Sequence, residues 1–206
     1  MQLSKRFSLL VLAALCFTLA PIRSHAQSAA PASSPPAFAG KISLNGVPNA
    51  GKISDRLFRG AQPALSSLLQ LKAMGITTIV DLRLESPQTR ENERRLAESL
   101  GLRFVHIPVG GFSIPSSAQL AQFFALLREN PAQKIFVHCE FGDDRTGVFI
   151  ASYRIAFQHW SAEHALAEMR AFGFHGHWHA NMAAFVRELP ARLQSDPTLK
   201  AALPAL

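Results

Sequence analysis

The chain has 206 residues, with 21 Lys and Arg against 14 Asp and Glu, which gives a formal net charge of +7. The sequence holds no block of basic residues interleaved with aromatic ones, so its composition argues against a nucleic-acid-binding protein. The mild positive charge would instead steer anionic substrates toward the protein.

The first 26 residues predict a secretory signal peptide. Lys5 and Arg6 form a positive start, and the stretch from Phe7 to Ala20 is almost wholly apolar. Small residues follow at the two positions that a signal peptidase reads, so we predict cleavage after Ala26. The apolar run is shorter than the about 20 residues that a spanning helix needs. We therefore expect a periplasmic or secreted protein without a membrane span in its mature form; an uncleaved anchor is the alternative.

Residues 27–40 are rich in Pro, Ala and Ser and show no apolar periodicity, which predicts a flexible tether. The remaining residues, 41–206, are enough for one domain with its own core. Cleavage would remove three basic residues and leave 18 against 14 acidic ones, a net charge of +4. Cleavage would also remove Cys16, so Cys139 is predicted to be the single cysteine of the mature protein. A lone thiol in an oxidising compartment is either buried and inert or reactive.

Apolar strands and amphipathic helices alternate from about residue 53 to 150, and helices alone follow. Strands are predicted at residues 76–82, 103–108 and 134–138, with weaker ones near 41–44 and 57–59. Helices are predicted around 65–69, before Gly101, over 118–129, over 148–157 and around 182–189. This order predicts an α/β fold with a mostly parallel central sheet flanked by helices. Ligands of such sheets bind beyond the carboxyl ends of strands, which points to the loop after residue 138.

That loop reads His138-Cys139-Glu140-Phe141-Gly142-Asp143-Asp144-Arg145-Thr146-Gly147 and joins a strand to a buried helix. The N–H groups from Glu140 to Arg145 can converge on one point, and the helix N-terminus adds unpaired N–H groups and a positive dipole end. Gly142 permits the tight curvature that such a loop needs. The planar guanidinium of Arg145 can grip two phosphate oxygens together. The pattern therefore predicts a site for a phosphate-like dianion.

Cys139 is predicted to lie at the base of this loop, where the positive surroundings favour its thiolate. A thiolate beneath a bound phosphate is an in-line nucleophile, and the product of its attack is a phosphocysteine. Thr146 can donate a hydrogen bond to the sulfur and help it leave, and His138 is expected to fix the loop. A buried, inert cysteine beside a surface arginine is the alternative, but the strand, the spacing and the helix together favour a reactive site.

The sequence HCEFGDDRTG resembles the H-C-x5-R-T-G signature of the protein-tyrosine and dual-specificity phosphatase superfamily. The resemblance continues in LFRGAQP from Leu57 and in GITTIVDLR from Gly75, and it covers roughly residues 53–190. It implies hydrolysis of phosphorylated proteins or small phosphomonoesters without metal or other cofactor. It also implies that Asp81 and Arg83 mostly brace the fold, and a position facing the site is the alternative for both. Sulfurtransferase loops are similar but usually place one residue fewer between cysteine and arginine, so sulfur transfer is a less favoured alternative.

The general acid is the point at which this sequence departs from the superfamily. In most members an Asp on a separate loop protonates the leaving oxygen. The corresponding stretch, Ile107 to Ser117, contains no Asp or Glu. Some members carry an Asp immediately before the arginine, so we predict that Asp144 is the acid, with Asp143 as the competitor. A helix-capping role is the alternative for both. Without a loop acid, the alternative function is a catalytically weak module that binds phosphorylated ligands.

The charges of the loop limit the substrate. Glu140, Asp143 and Asp144 oppose Arg145 alone, a formal balance of −2 that would repel a substrate with several phosphates. We therefore expect a phosphotyrosine, a phosphoserine or phosphothreonine, or a simple monophosphate ester.

Two further features of the sequence have more than one interpretation. His175, His177 and His179 alternate along the chain, which is a pattern seen in metal sites. Because no Cys or acid is near them in the sequence, we predict no metal and a loop that packs on the active-site face. Arg59 has two interpretations, an approach to the phosphate pocket or a structural pairing.

Overall fold

The computed structural model describes residues 36–204. The predicted signal peptide over residues 1–26 and its cleavage point lie outside the described residues, and so does most of the predicted tether. Within the described part of the chain, no helix is both long enough and apolar enough to cross a membrane.

Six strands form a central sheet in the described residues: β1 Gly40–Lys41, β2 Gly51–Lys52, β3 Leu57–Gly60, β4 Thr78–Arg83, β5 Arg103–Val109 and β6 Ile135–His138. Their spatial order is β1-β2-β3-β6-β4-β5. The pairs β3–β6, β4–β6 and β4–β5 are parallel, whereas β1–β2 and β2–β3 are antiparallel. This sheet confirms the predicted α/β fold with a mostly parallel centre. The sequence did not predict β2, because a two-residue strand carries no apolar run.

Seven α-helices accompany the sheet in the same part of the chain: α1 Leu68–Ala73, α2 Pro87–Ser99, α3 Ser117–Glu129, α4 Asp144–Gln158, α5 Ala162–Ala171, α6 Ala180–Ser195 and α7 Pro197–Ala202. The start of α3 shows why such boundaries can be predicted. The Ser116 side chain accepts a hydrogen bond from the N–H of Gln119, and the Gln119 side chain accepts one from the N–H of Ser116, which completes a capping box. Helix α7 was not predicted, because six residues are too few to show a helical period.

Apolar side chains cover both faces of the sheet. Alternate residues of a strand point to opposite faces. Val80 and Val137 accordingly pack in a large cluster with helices α3 to α7, whereas Ile79 and Phe136 pack in a smaller cluster with α1 and α2. Helix α4 runs through the large cluster and is buried nearly all round, as its sequence predicts. The loop between β6 and α4 is thus held between a central strand and a buried helix.

The folded unit begins slightly earlier than residue 41. The N–H of Ala39 donates a hydrogen bond to the buried carboxylate of Glu168 at 2.7 Å, and the ring of Phe38 lies 6.3 Å from that of Trp160. The predicted tether therefore extends a few residues too far, because its composition does not show that Phe38 has an aromatic partner on the domain.

Candidate active site

The loop from Cys139 to Asp143 leaves the carboxyl end of β6 and enters α4. Cys139 is 1% exposed, and its Sγ accepts a hydrogen bond from the N–H of Gly142 at 3.3 Å. Within the described residues, no hydrogen bond uses the N–H of Glu140, Phe141 or Asp143. These donors are free to bind an anion above the sulfur, beside the N-terminus of α4. The structure thus brings the predicted nucleophile and the predicted phosphate donors together.

The loop passes so close to the end of β3 that only glycine fits at position 142. Its φ is +74°, and a Cβ at this position would lie 2.4 Å from the backbone of both Gly60 and Ala61. Only glycine combines this left-handed conformation with so close an approach. The carbonyl oxygen of Gly142 accepts hydrogen bonds from Nδ2 of Asn49 at 3.1 Å and from the guanidinium of Arg59.

Arg59 braces the loop from within the protein, which decides between its two interpretations. Its side chain is fully buried, donates to the carbonyl of Gly142, and lies 4.1 Å above the ring of Phe172. Burial lowers the pKa of Arg59 to about 10, although the carboxylate of Glu168 opposes this shift. Because Arg59 is engaged by the loop backbone and by an aromatic ring, it supports the phosphate site without forming part of its surface.

Arg145 lies in the first turn of α4, where a bound phosphate would meet it. Its Nη1 donates hydrogen bonds to Oε2 of Glu85 at 3.0 Å and to the carbonyl of Val109 at 3.2 Å, and its Nη2 forms an ion pair with Oε1 of Glu85 at 2.7 Å. Burial lowers the pKa of Arg145, but the hydrogen bond to Glu85 and the charge of Cys139 outweigh it and raise that pKa. We did not single out Glu85 from the sequence. Its position just after β4, at the same sheet edge as the loop, was the available signal.

A buried charge network lies behind the nucleophile. Nε2 of His138 is 3.0 Å from the carboxylate of Glu93, and its Nδ1 is 3.2 Å from the carbonyl of Cys139. Arg83 bridges the carboxylates of Asp81, at 2.8 Å, and Glu93, at 2.6 Å. All four charged side chains are at most 1% exposed. The structure thus places His138, Asp81 and Arg83 together behind the loop, with Glu93 of α2, which the sequence analysis did not single out.

Both candidate acids lie at the start of α4. Asp143 caps this helix, because its side chain accepts a hydrogen bond from the N–H of Asp144. Asp144 faces the histidine-rich loop: Oδ1 accepts from the N–H of His175 at 3.0 Å, and Oδ2 lies 3.1 Å from Nε2 of His179. Acids therefore lie close to these histidines in space. Acids more than 30 positions earlier in the chain reach them through the fold, which spacing alone does not show.

Two groups of side chains in the described residues have the spacing of metal ligands. Asp143, Asp144 and His175 each offer one ligand atom, and these atoms lie within 4.8 Å of one another. The buried carboxylates of the other group, Asp81 and Glu93, already have Arg83 as their cation. The absence of a metal stays a prediction.

The predicted helper Thr146 is fully buried, and its hydroxyl has no hydrogen-bond partner within the described residues. The hydrogen bond to the sulfur comes instead from the backbone of Gly142. The role of Thr146 in releasing the sulfur therefore stays a prediction.

An aromatic cleft of about 450 Å³ opens beside the loop. Phe112, Phe141 and Trp178 stand around it and are 72%, 65% and 69% exposed. The polar part of its lining consists of Asp143, Asp144, His175 and His179. Large aromatic side chains that remain this exposed mark a binding surface.

The sequence is similar to those of known phosphatases. The model of a family described as "DSP-PTPase phosphatase fused to NAD+ Kinase" matches residues 45–188. The dual specificity protein phosphatase TpbA from one strain of Pseudomonas aeruginosa is 31% identical over 152 residues, which cover 72% of this chain. The protein of that name from a second strain is 30% identical over 129 residues. The chain spans 64% and 55% of the lengths of these two relatives.

Solved structures share the fold. A crystal structure of P. aeruginosa TpbA has a TM-score of 0.61 and 24% identity, and the match covers 77% of this chain and 98% of that one. The core catalytic domain of a PP-IP phosphatase from S. cerevisiae has a TM-score of 0.58 and 23% identity, over 76% and 98% of the two chains. At this level of identity the likeness establishes the fold alone.

Proposed function

This chain belongs to the DSP-PTPase family of phosphatases, and from that premise we propose that it hydrolyses phosphomonoesters through a phosphocysteine intermediate. One observation carries the proposal: the sulfur of Cys139 accepts the N–H of Gly142 in a loop whose N–H groups of Glu140, Phe141 and Asp143 make no hydrogen bond within the described residues. A module that only binds phosphorylated ligands would not need a thiol at this point. The five residues between Cys139 and Arg145 argue against sulfur transfer.

The proposed reaction has two steps. The thiolate of Cys139 attacks phosphorus, the bond from phosphorus to the leaving oxygen breaks, and a carboxyl group at the start of α4 protonates that oxygen. Water then attacks the phosphocysteine, the same carboxylate accepts a proton from the water, and the thiolate leaves. Throughout, the loop N–H groups and Arg145 stabilise the charge on the transferred phosphoryl oxygens.

We propose an aryl phosphate, such as the phosphotyrosine of a protein, as the preferred substrate. The exposed rings of Phe112, Phe141 and Trp178 offer apolar and stacking contacts to an aromatic leaving group. The loop balance of −2 opposes substrates with several phosphates. One solved structure of the similar protein TpbA is a complex with pTyr, which supports the same substrate class.

Hydrolysis of p-nitrophenyl phosphate tests the function, with EDTA present so that metal-dependent activity is excluded. We expect turnover by the wild type and none by Cys139→Ser. Asp144→Asn is measured on phenyl phosphate, whose leaving oxygen needs a proton, and there we expect a fall of about 100-fold or more, because a general acid contributes about 10² to 10⁴ in rate. Asp143→Asn is the matched control for the choice of acid. Absence of turnover by the reduced wild type would refute the proposed function. A phosphotyrosine peptide and an inositol polyphosphate then test the substrate class, and faster turnover of the inositol compound would contradict it.

We also propose that the protein is exported, which rests on the signal-like sequence of residues 1–26. Fractionation of cells that express the full chain tests this. A cytoplasmic chain that retains its first residues would contradict it.

A further inference from the structure

His179 is the side chain that the proposed reaction leaves without a role although it contacts the predicted acid. Its ring is 8% exposed and stacks on the ring of Phe112, with centroids 4.9 Å apart. The carbonyl of Phe112 in turn accepts a hydrogen bond from Nδ2 of Asn181 at 2.8 Å. Phe112 belongs to the stretch that carries the acid in most of the superfamily. In this chain that stretch has no acid, and its Phe112 packs on His179.

The two ring nitrogens of His179 have different surroundings. Nε2 lies 3.1 Å from Oδ2 of Asp144, whereas Nδ1 is buried and has no hydrogen-bond partner within the described residues. A doubly protonated ring would leave a buried N–H unpaired, which is costly. Nε2 is therefore the ring nitrogen that is placed to donate a hydrogen bond to Asp144.

The other groups around Asp144 hold the carboxyl group in place. Its Oδ1 accepts the N–H of His175 at 3.0 Å, and Nδ1 of His175 lies 3.9 Å from Oδ2. Asp143, 3.7 Å from the same His175 nitrogen, is the one other acid in this group. His175 is an exposed side chain, whereas His179 is enclosed. His179 thus provides the fixed side-chain contact to Asp144.

We propose that His179 is a positioning residue, which aims the carboxyl group of Asp144 at the leaving oxygen and stabilises the carboxylate that remains after proton transfer. The proposal rests on the proposed phosphatase function. In the first step the Asp144 proton passes to the leaving oxygen as the bond from sulfur to phosphorus forms and that from phosphorus to oxygen breaks. The Nε2–H of His179 then donates to the full negative charge on Asp144, an interaction that strengthens as the transition state forms.

Leaving groups of different basicity separate this role from a structural one. Phenolate is a poor leaving group that needs a proton, whereas p-nitrophenolate leaves well without one. We expect His179→Leu to lower kcat/KM for phenyl phosphate at least about tenfold more than for p-nitrophenyl phosphate, because only the first reaction depends on the acid. His179→Gln retains an N–H donor at a similar reach and is expected to restore most of the lost activity. His177→Leu, an exposed neighbour in the same loop, is the matched control and should behave as the wild type.

The outcomes are distinguishable when all variants are measured as full chains with matched thermal unfolding midpoints. An equal loss of kcat/KM on both substrates in His179→Leu would overturn the inference, since misplacement of the whole loop affects them alike. If His179→Gln were as impaired as His179→Leu, the positioning role would also be overturned. Such a result would mean that the imidazole ring of His179 itself transfers the proton to the leaving oxygen. A wild type that hydrolyses neither ester would refute the phosphatase proposal itself.

Discussion

The carboxylate of Glu85 binds the guanidinium of Arg145 end-on, with Oε1 2.7 Å from Nη2 and Oε2 3.0 Å from Nη1. Within the described residues, no hydrogen bond uses Nε of Arg145. A guanidinium can bind anions along more than one edge, so the edge formed by Nε and Nη2 stays open to phosphate. Glu85 therefore orients the clamp without occupying all of it.

Replacement of Glu85 by Ala is expected to weaken phosphate binding. The pair is partly exposed, and an exposed pair contributes on the order of 1 kcal/mol, so we expect the inhibition constant for inorganic phosphate and KM to rise about fivefold. Inhibition by phosphate of p-nitrophenyl phosphate hydrolysis measures this. Glu91→Ala, which removes an acid that pairs with surface arginines of α2, is the control. Tighter phosphate binding in Glu85→Ala would mean that the carboxylate competes with the substrate.

Gly142→Ala is expected to disable the loop. The substitution forces a Cβ into the backbone of Gly60 and Ala61 and strains a φ of +74°. The loop must move, which takes the N–H of Gly142 away from the sulfur of Cys139. We expect kcat/KM to fall by about 100-fold or more, as happens when a donor to the reacting centre is lost.

Gly101→Ala is the control for Gly142→Ala. Gly101 has a similar φ of +76°, but a Cβ there meets nothing within 4 Å. This variant carries the backbone strain alone, so its stability should fall by about 1 kcal/mol with unchanged kcat/KM. Equal activity of the two glycine variants would contradict the close approach at Gly142.

The sequence predicted the features that local signals encode. The strand before Cys139, the buried helix after it and the capped start of α3 each have a periodicity or a cap that a short window shows. The resemblance in HCEFGDDRTG then placed the nucleophile and the phosphate loop together. The sequence also singled out Arg59, but it did not show which of two roles this residue has.

What the sequence did not show are contacts between distant segments. Glu85 reaches Arg145 across 60 positions, and Glu93 reaches His138 across 45. A Glu on a helix predicts a solvent-exposed side chain by default, because charged residues are rarely buried unless paired. The partner of Glu93, His138, can be identified only when the strand order places β4 beside β6. The same reasoning applies to His179, whose partner Asp144 follows from the packing of α6 on α4.

The aromatic cleft predicts a preference among phosphopeptides. We expect Trp178→Ala to raise KM for a phosphotyrosine peptide about three- to tenfold and to leave KM for the matched phosphoserine peptide nearly unchanged, because aromatic pairs contribute about 0.5–1.5 kcal/mol. Steady-state kinetics on the two peptides measure this difference. Leu69→Ala, an exposed apolar residue on α1, is the control. Equal changes on both peptides would show that Trp178 does not contact the aromatic ring.

The charge network behind the nucleophile predicts a pH dependence of stability. Burial lowers the pKa of His138, but the carboxylates of Glu93 and Asp81 outweigh burial and raise that pKa above its ordinary value of 6.5. The stabilisation is therefore fully present below about pH 6.5, the value in the unfolded chain, and is lost as the pH rises through the folded-state pKa. Above pH 6.5 the unfolded chain has released the proton that the folded chain still holds, so unfolding becomes easier with rising pH.

Urea unfolding at several pH values above about 6.5 measures this dependence. One retained proton changes the free energy of unfolding by at most about 1.4 kcal/mol per pH unit. We expect His138→Gln to remove this slope, and to be less stable than the wild type at pH 6.5, because Glu93 then loses the imidazolium that lies 3.0 Å away. His177→Gln, which changes an exposed histidine, should keep the slope of the wild type. Parallel pH profiles of wild type and His138→Gln would mean that the buried imidazole is neutral, and that Arg83 alone balances Asp81 and Glu93.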